Sequence, residues 1–182
     1  LSRLFQEAIH TGKRARTETA ISQHALSLSH VAVLMAKSQI ADLGNAKMLV
    51  IGAGRMAELA VKALKAHGAT HIWVINRTYA TALGLAAHHE IQALEWSQLA
   101  HALVDADVII TATGSSEPIL KPGDIVHTQV ERASKPLLLI DISVPRNVHQ
   151  DVGILPDVTL YDIDDLQATV EDFLSELFVQ IL

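Results

Sequence analysis

The apolar run Met48-Leu49-Val50-Ile51, followed at once by Gly52-Ala53-Gly54-Arg55-Met56-Ala57, constrains what this chain can fold into more than any other feature of its sequence. Consecutive apolar residues that end in glycines are the pattern of a central parallel strand buried on both faces. The glycine spacing is G-x-G-x-x-A, and between a strand and a helix each position has its own physical use. The first glycine permits the tight turn, the second lets the main chain approach a pyrophosphate, and a small third residue, Ala57, lets the helix lie close on the strand. Free amides at the start of the helix then face the phosphate charge.

The rhythm continues along the chain. Similar apolar runs occur at Ile72-Trp73-Val74-Ile75, Val108-Ile109-Ile110 and Leu137-Leu138-Leu139-Ile140, with shorter candidates near Ile91 and at Val158-Thr159-Leu160-Tyr161. Helical patterns fill about 55–67, 79–88, 97–103 and 122–132. Strands alternating with helices at this spacing predict an α/β fold, a doubly wound parallel sheet of Rossmann type with flanking N- and C-terminal helices. Residues 1–45 read as helical, with Leu4, Phe5, Ala8 and Ile9 on one face, a break at Thr11-Gly12 and a second helix over about 25–42. Between them Lys13-Arg14-Ala15-Arg16-Thr17-Glu18-Thr19 is the densest positive cluster, either a solvated connector or a functional segment.

From Asp162 to Leu182 the apolar residues Ile163, Leu166, Val170, Phe173, Leu174, Leu177, Phe178 and Ile181 fall three and four apart. This is a helix with one apolar face, and Asp162, Asp164 and Asp165 cap the end where the dipole favours acid. Either that face folds back on the sheet or the helix continues into, or packs with, something this chain lacks. The stripe runs uncapped to the last residue, which favours the second.

The 182 residues hold one good-sized core, since 49% are hydrophobic and 19% charged. Fourteen basic residues against 20 acidic, a net charge of -6, argue against a broadly basic nucleic-acid surface. Without cysteine the chain has no disulfide framework, thiolate metal cluster or cysteine nucleophile of its own. No apolar run approaches a membrane span, so no membrane association and a cytoplasmic or stromal location are the expectation. Ten histidines invite a metal reading, but His88 and His89 are adjacent on a helix and are expected not to face one ion, and no H-E-x-x-H pattern occurs. No metal site is expected, and no G-x-S-x-G context supports a serine hydrolase.

The cofactor is read from the ends of the next strands. After Ile75 stand Asn76-Arg77-Thr78, where an NAD enzyme usually offers a carboxylate to the ribose hydroxyls. Here Arg77 offers a permanent charge to a 2′-phosphate and Thr78 a hydroxyl, which points to NADPH. Thr111-Ala112-Thr113-Gly114-Ser115 ends a third strand with small and hydroxyl residues that leave room for the nicotinamide ribose. Gly52, Ala53, Gly54, Arg55 and Met56 are thus assigned to the pyrophosphate. Asn76, Arg77 and Thr78 are assigned to the adenosine ribose phosphate, and Thr113, Gly114 and Ser115 to the ribose near the nicotinamide. No catalytic residue is assigned.

Four stretches, in order, resemble the glutamyl-tRNA reductase family. Leu4-Phe5-Gln6 with Gly12-Lys13-Arg14-Ala15-Arg16-Thr17-Glu18-Thr19 resembles the connector leaving its catalytic domain. Val50 to Met56 with Asn76-Arg77-Thr78 resembles its NADPH-binding core. Ile140-Asp141-Ile142-Ser143-Val144-Pro145-Arg146-Asn147 and Leu160-Tyr161-Asp162-Ile163-Asp164-Asp165-Leu166 are similar to two later signatures. The resemblance implies reduction of glutamyl-tRNA with NADPH to glutamate-1-semialdehyde for tetrapyrrole (porphyrin) synthesis. In that family a cysteine of a preceding domain forms a thioester that accepts hydride, so this chain alone is expected to be inactive.

On this reading residues 1–45 are the connector from a missing catalytic domain, 46–161 the NADPH-binding domain, and 162–182 the start of a spinal helix leading to a homodimer interface. The chain begins with Leu1, as expected of a fragment, a processed product or an excised domain. Phe178-Val179-Gln180-Ile181-Leu182 departs from the family's charged continuation. His30 stands where the family has a small residue, which predicts disturbed packing of the second helix. Two alternatives share the fold: a shikimate-dehydrogenase-like NADP-dependent reductase, and a non-catalytic NADP(H)-sensing module.

Overall fold

The computed structural model describes residues 21–168. The expected helix around Leu4 to Ile9, the basic cluster Lys13 to Thr19 and the apolar stripe beyond residue 168 lie outside the described residues. Helix α1 (Ile21–Gln39) leads into strand β1 (Lys47–Ile51), followed by α2 (Arg55–Ala66), β2 (His71–Ile75), α3 (Tyr79–His89) and β3 (Gln92–Leu94). A single 3-10 turn (Trp96–Gln98) opens α4 (Leu99–Asp105). Then come β4 (Val108–Thr111), α5 (Pro122–Glu131), β5 (Leu137–Asp141), a 3-10 segment (Gln150–Ile154) and β6 (Val158–Tyr161). The apolar runs read from the sequence are the strands of one sheet.

The sheet is six-stranded, in the order β3-β2-β1-β4-β5-β6, with every neighbouring pair parallel. Two crossovers run outward from β1 in one direction and two from β4 in the other, so the chain reverses its winding between β1 and β4. Alternate side chains then point to opposite faces and each face needs its own cover. Met48, Val50, Ile72, Val108, Ile110, Leu138 and Ile140 pack beneath α1 and α2. Leu49, Ile51, Ile75, Ile109, Leu137 and Leu139 form the other core with Ala102 and Leu103 of α4 and Ile125 of α5. Both faces of β1, β4 and β5 are covered, which is why these strands read as unbroken apolar runs.

Element ends follow local chemistry. Helix α2 closes through Gly68: its amide donates to the Lys65 carbonyl at 3.0 Å, and its φ of 91° turns the chain so that the Ala69 amide returns to Leu64 at 3.0 Å. Helix α5 begins with Pro122, where a missing amide costs nothing, and the Lys121 amide donates to Asp124 Oδ2 at 3.0 Å. Past β6 a helical stretch at 163–168 is capped by Asp162, whose Oδ1 accepts the amides of Asp164 at 2.9 Å and Asp165 at 3.3 Å. Acid at this helix start is therefore capping, as read from the sequence. Its Leu166 is buried in the core under α1 and α2, so the first turn of the apolar stripe does fold back on the sheet.

The expectation for His30 is corrected: its side chain is exposed and its ring lies 5.1 Å from that of His67. The neighbouring Ser29 is the buried residue, and its hydroxyl donates to the Met56 carbonyl at 3.3 Å, so α1 packs on α2 undisturbed.

Candidate dinucleotide-binding site

Ile75, Ile51, Thr111 and Asp141 lie in one row across four adjacent strands. The loops that follow them therefore leave the sheet side by side at its carboxyl edge, astride the reversal between β1 and β4, where open α/β sheets bind ligands. Every residue assigned from the sequence to a cofactor lies on three of these loops or, for Arg55 and Met56, in the first turn of α2. The Gly52 amide donates to the Ile75 carbonyl at 2.8 Å, and the Ala112 amide donates to Ile51 at 2.8 Å.

The two glycines meet different demands. Gly52 has φ of +117°, and a Cβ there would lie 2.3 Å from the Ala112 carbonyl oxygen. Both its own dihedral and the adjacent β4 end exclude any larger residue. Gly54 has an ordinary φ of -86° and is the N-cap of α2, yet among the described residues no side chain caps that helix. A Cβ on Gly54 would meet nothing within 4 Å among the described residues, which leave the space beside the uncapped amides open. A small residue facing open space beside free amides is the cradle a pyrophosphate fits. Ala57 is fully buried, which brings α2 close to the sheet. Ala53 is half-buried, and the Arg55 side chain is exposed with its guanidinium 3.5 Å from Glu58. The Met56 side chain packs instead against the core beside Ser29, so this residue offers the turn its main chain only.

At the end of β2, Asn76 Nδ2 donates to the Thr78 carbonyl at 3.1 Å and shapes the turn into α3. Arg77 is exposed, its guanidinium 5.7 Å from the centre of the Trp96 ring, and Nη2 donates to Ser115 Oγ at 3.4 Å. Arg77 thus spans from the β2 loop to the β4 loop. Trp96 escapes sequence reasoning: it lies on a single turn after a short strand, and no motif marks it. The β4 loop is itself ordered, since the Ser115 amide donates to Thr113 Oγ1 at 3.0 Å. Gly114 is exposed and open.

The histidine pair corrects a geometric expectation. Glu58, His88 and His89 each bring a donor atom within 4.8 Å of the others, because the two rings meet edge to face at 4.7 Å where α3 ends. The carboxylate is already paired, with Lys62 donating to Oε1 at 2.6 Å and Arg55 3.5 Å from Oε2. The Lys62 hydrogen bond holds the Glu58 carboxyl below the usual carboxylate range, while burial pushes the His89 imidazole below its ordinary value. A divalent ion would compete with Lys62 and Arg55 for this carboxylate, so charge rather than spacing opposes a metal here.

Residues 34–169 match the family model described as Shikimate / quinate 5-dehydrogenase. The chain is 45% identical over 176 residues to a glutamyl-tRNA reductase of Sulfurihydrogenibium sp., covering 97% of this chain and 40% of that protein. It is 41% identical over 176 residues to that of Nitratidesulfovibrio vulgaris, with the same coverage of 97% and 40%. Among solved structures, the glutamyl-tRNA reductase from Methanopyrus kandleri superposes with a TM-score of 0.78 at 35% identity, over 97% of this chain and 45% of that one. The nucleotide binding domain of the Thermoplasma volcanium enzyme shares the fold, with a TM-score of 0.57 at 23% identity over 82% of this chain and 96% of that one. The chain therefore spans about 40% of the length of the curated relatives it matches.

Proposed function

The chain belongs to the family that the Shikimate / quinate 5-dehydrogenase model describes, in the form carried by glutamyl-tRNA reductases, and from that premise we propose that residues 46–161 hold NADPH. The observation that carries this reading is the uncapped start of α2 opening into free space, at the same sheet edge as Arg77. The amides after Gly54 hold the pyrophosphate. Arg77, backed by Trp96, holds the 2′-phosphate with Asn76 and Thr78, and Thr113, Gly114 and Ser115 border the ribose at the nicotinamide end. The bound cofactor supplies a hydride; the protein's own residues orient the dinucleotide and carry no bond-making chemistry.

The whole enzyme would reduce glutamyl-tRNA to glutamate-1-semialdehyde in the cytoplasm, for tetrapyrrole synthesis. A cysteine of another domain would supply the covalent step, which this cysteine-free chain cannot perform by itself. Residues 1–45 would connect to that domain, and 162–182 would begin a spinal helix toward a homodimer interface. Among the described residues no helix is long and apolar enough to cross a membrane.

The name of the matched model favours a second reading, a shikimate-dehydrogenase-like reductase acting on a free acid. Identity to glutamyl-tRNA reductases across 97% of the chain, beyond the ends of the 34–169 match, supports the first. A non-catalytic NADP(H) sensor would share the cofactor site. Assay of the intact parent protein with NADPH separates the three. Aldehyde release from glutamyl-tRNA supports the reductase, turnover of shikimate alone supports the dehydrogenase, and cofactor binding without either reaction supports the sensor.

A further inference from the structure

The signature Ile140–Asn147 carries no assigned role in cofactor binding, yet it contains the most heavily bonded buried carboxylate among the described residues. Asp141 is 1% exposed. Its Oδ1 accepts the Thr111 hydroxyl at 2.6 Å and the Ser143 amide at 3.0 Å, and its Oδ2 accepts the amides of Asn147 at 2.6 Å and Val148 at 2.8 Å. These four donors are uncharged, and three of them are the main chain of the loop after β5. A carboxylate so placed fixes that loop's path across the end of β4.

The consequence appears one loop away. Asn147 is fully buried, its Nδ2 donating to the carbonyls of Ser115 at 3.1 Å and Pro145 at 3.3 Å, while its Oδ1 accepts the Thr113 hydroxyl. Ser143, also buried, accepts the Thr113 amide on Oγ at 3.2 Å. Two side chains of the signature thus hold three polar groups of residues 113–115. That segment contains an exposed glycine and contributes no strand pairing of its own. Unbraced, it would have to be ordered at each binding event, at about 1–2 kcal/mol per residue.

We propose that Asn147, oriented by Asp141 and assisted by Ser143, is a positioning residue for the nicotinamide half of the bound dinucleotide. This rests on the assignment of Thr113 to Ser115 to that half. The adenosine half is held by the loops after β1 and β2, and among the described residues the one hydrogen bond from those loops to a side chain of 113–115 is the exposed Arg77–Ser115 contact.

The test compares NADPH with 2′,5′-ADP, which carries the adenosine half alone, by calorimetry on the wild-type chain and on Asn147→Ala and Ser143→Ala, with the melting temperature of each. Asn147→Ala is expected to weaken NADPH about tenfold, the cost of ordering roughly one residue of the unbraced loop on binding, and to leave 2′,5′-ADP within about twofold. Ser143→Ala, a near-isosteric change, should shift the ratio the same way by less. Equal weakening of both ligands, or of neither, overturns the proposal. If Asn147→Ala does not fold, the Ser143→Ala ratio decides alone. Wild-type protein that binds neither ligand would instead overturn the cofactor reading itself and the proposal with it; wild-type protein that binds both equally would leave that reading standing and overturn the proposal only.

Discussion

Gly52 and Gly54 are the same residue type held for unlike reasons, and substitution separates them. Gly52→Ala puts a methyl group 2.3 Å from the Ala112 carbonyl oxygen at φ of +117°. The backbone strain alone is worth roughly 1–3 kcal/mol, so the variant should melt clearly lower or fail to accumulate. Gly54→Ala meets nothing among the described residues and costs at most about 1 kcal/mol as an N-cap change, while NADPH affinity should fall because the methyl would occupy the proposed phosphate space. Calorimetry and thermal melts on both variants read this contrast, and a Gly54→Ala protein binding NADPH as wild type does would remove the pyrophosphate from that turn. His89 supplies a pH prediction. Burial keeps its imidazole below the ordinary value of 6.5, so the unfolded chain takes up a proton that the folded one resists. Its contribution is complete above that value and is lost as pH falls through the folded-state pKa. His67, desolvated and near His30 and Lys37, shifts in the same direction. The melting temperature should therefore drop from about pH 7.5 to about pH 5.5, and His89→Leu should flatten part of that slope.

Among the elements, the α4–α5 pair depends on one buried cation. Arg132 is 6% exposed and its guanidinium donates to the carbonyls of Val104 and Pro136, both at 2.7 Å, to Leu103 at 3.3 Å and to Ala106. These are the carbonyls left over where α4 ends and where the chain turns into β5. Burial lowers the Arg132 pKa from its ordinary value, partly offset by the charges of Asp107 and Asp105. Arg132→Ala should destabilise by roughly 3 kcal/mol or more, because several buried acceptors lose their donor together. Denaturant melts check this, and a loss under about 0.5 kcal/mol, typical of an exposed site, would contradict it. None of this is visible in the sequence, where Arg132 reads as the last residue of a helix. The elements themselves were legible because a sheet covered on both faces writes its strands as apolar runs. The glycine turn was legible because its demands on the main chain are local. Trp96 against Arg77, and Asn147 against the β4 loop, were not legible: both are contacts between loops distant in sequence, brought together only by strand order.

For the molecule as a whole, the row formed by Ile75, Ile51, Thr111 and Asp141 turns four separate sequence segments into one edge. Three carry the residues assigned to the cofactor and the fourth braces the third. On the reading proposed above, this edge holds NADPH and Arg77 selects it over NADH. The most direct measurement is the dissociation constant of each cofactor, followed by energy transfer from Trp96 and Trp73 to the reduced nicotinamide, in wild-type chain and in Arg77→Ala. Wild type is expected to prefer NADPH. Arg77→Ala should weaken NADPH by about tenfold or more, as expected for a hydrogen bond to a charged group, and leave NADH nearly unchanged. Equal weakening of both cofactors, or a wild type that prefers NADH, would contradict it.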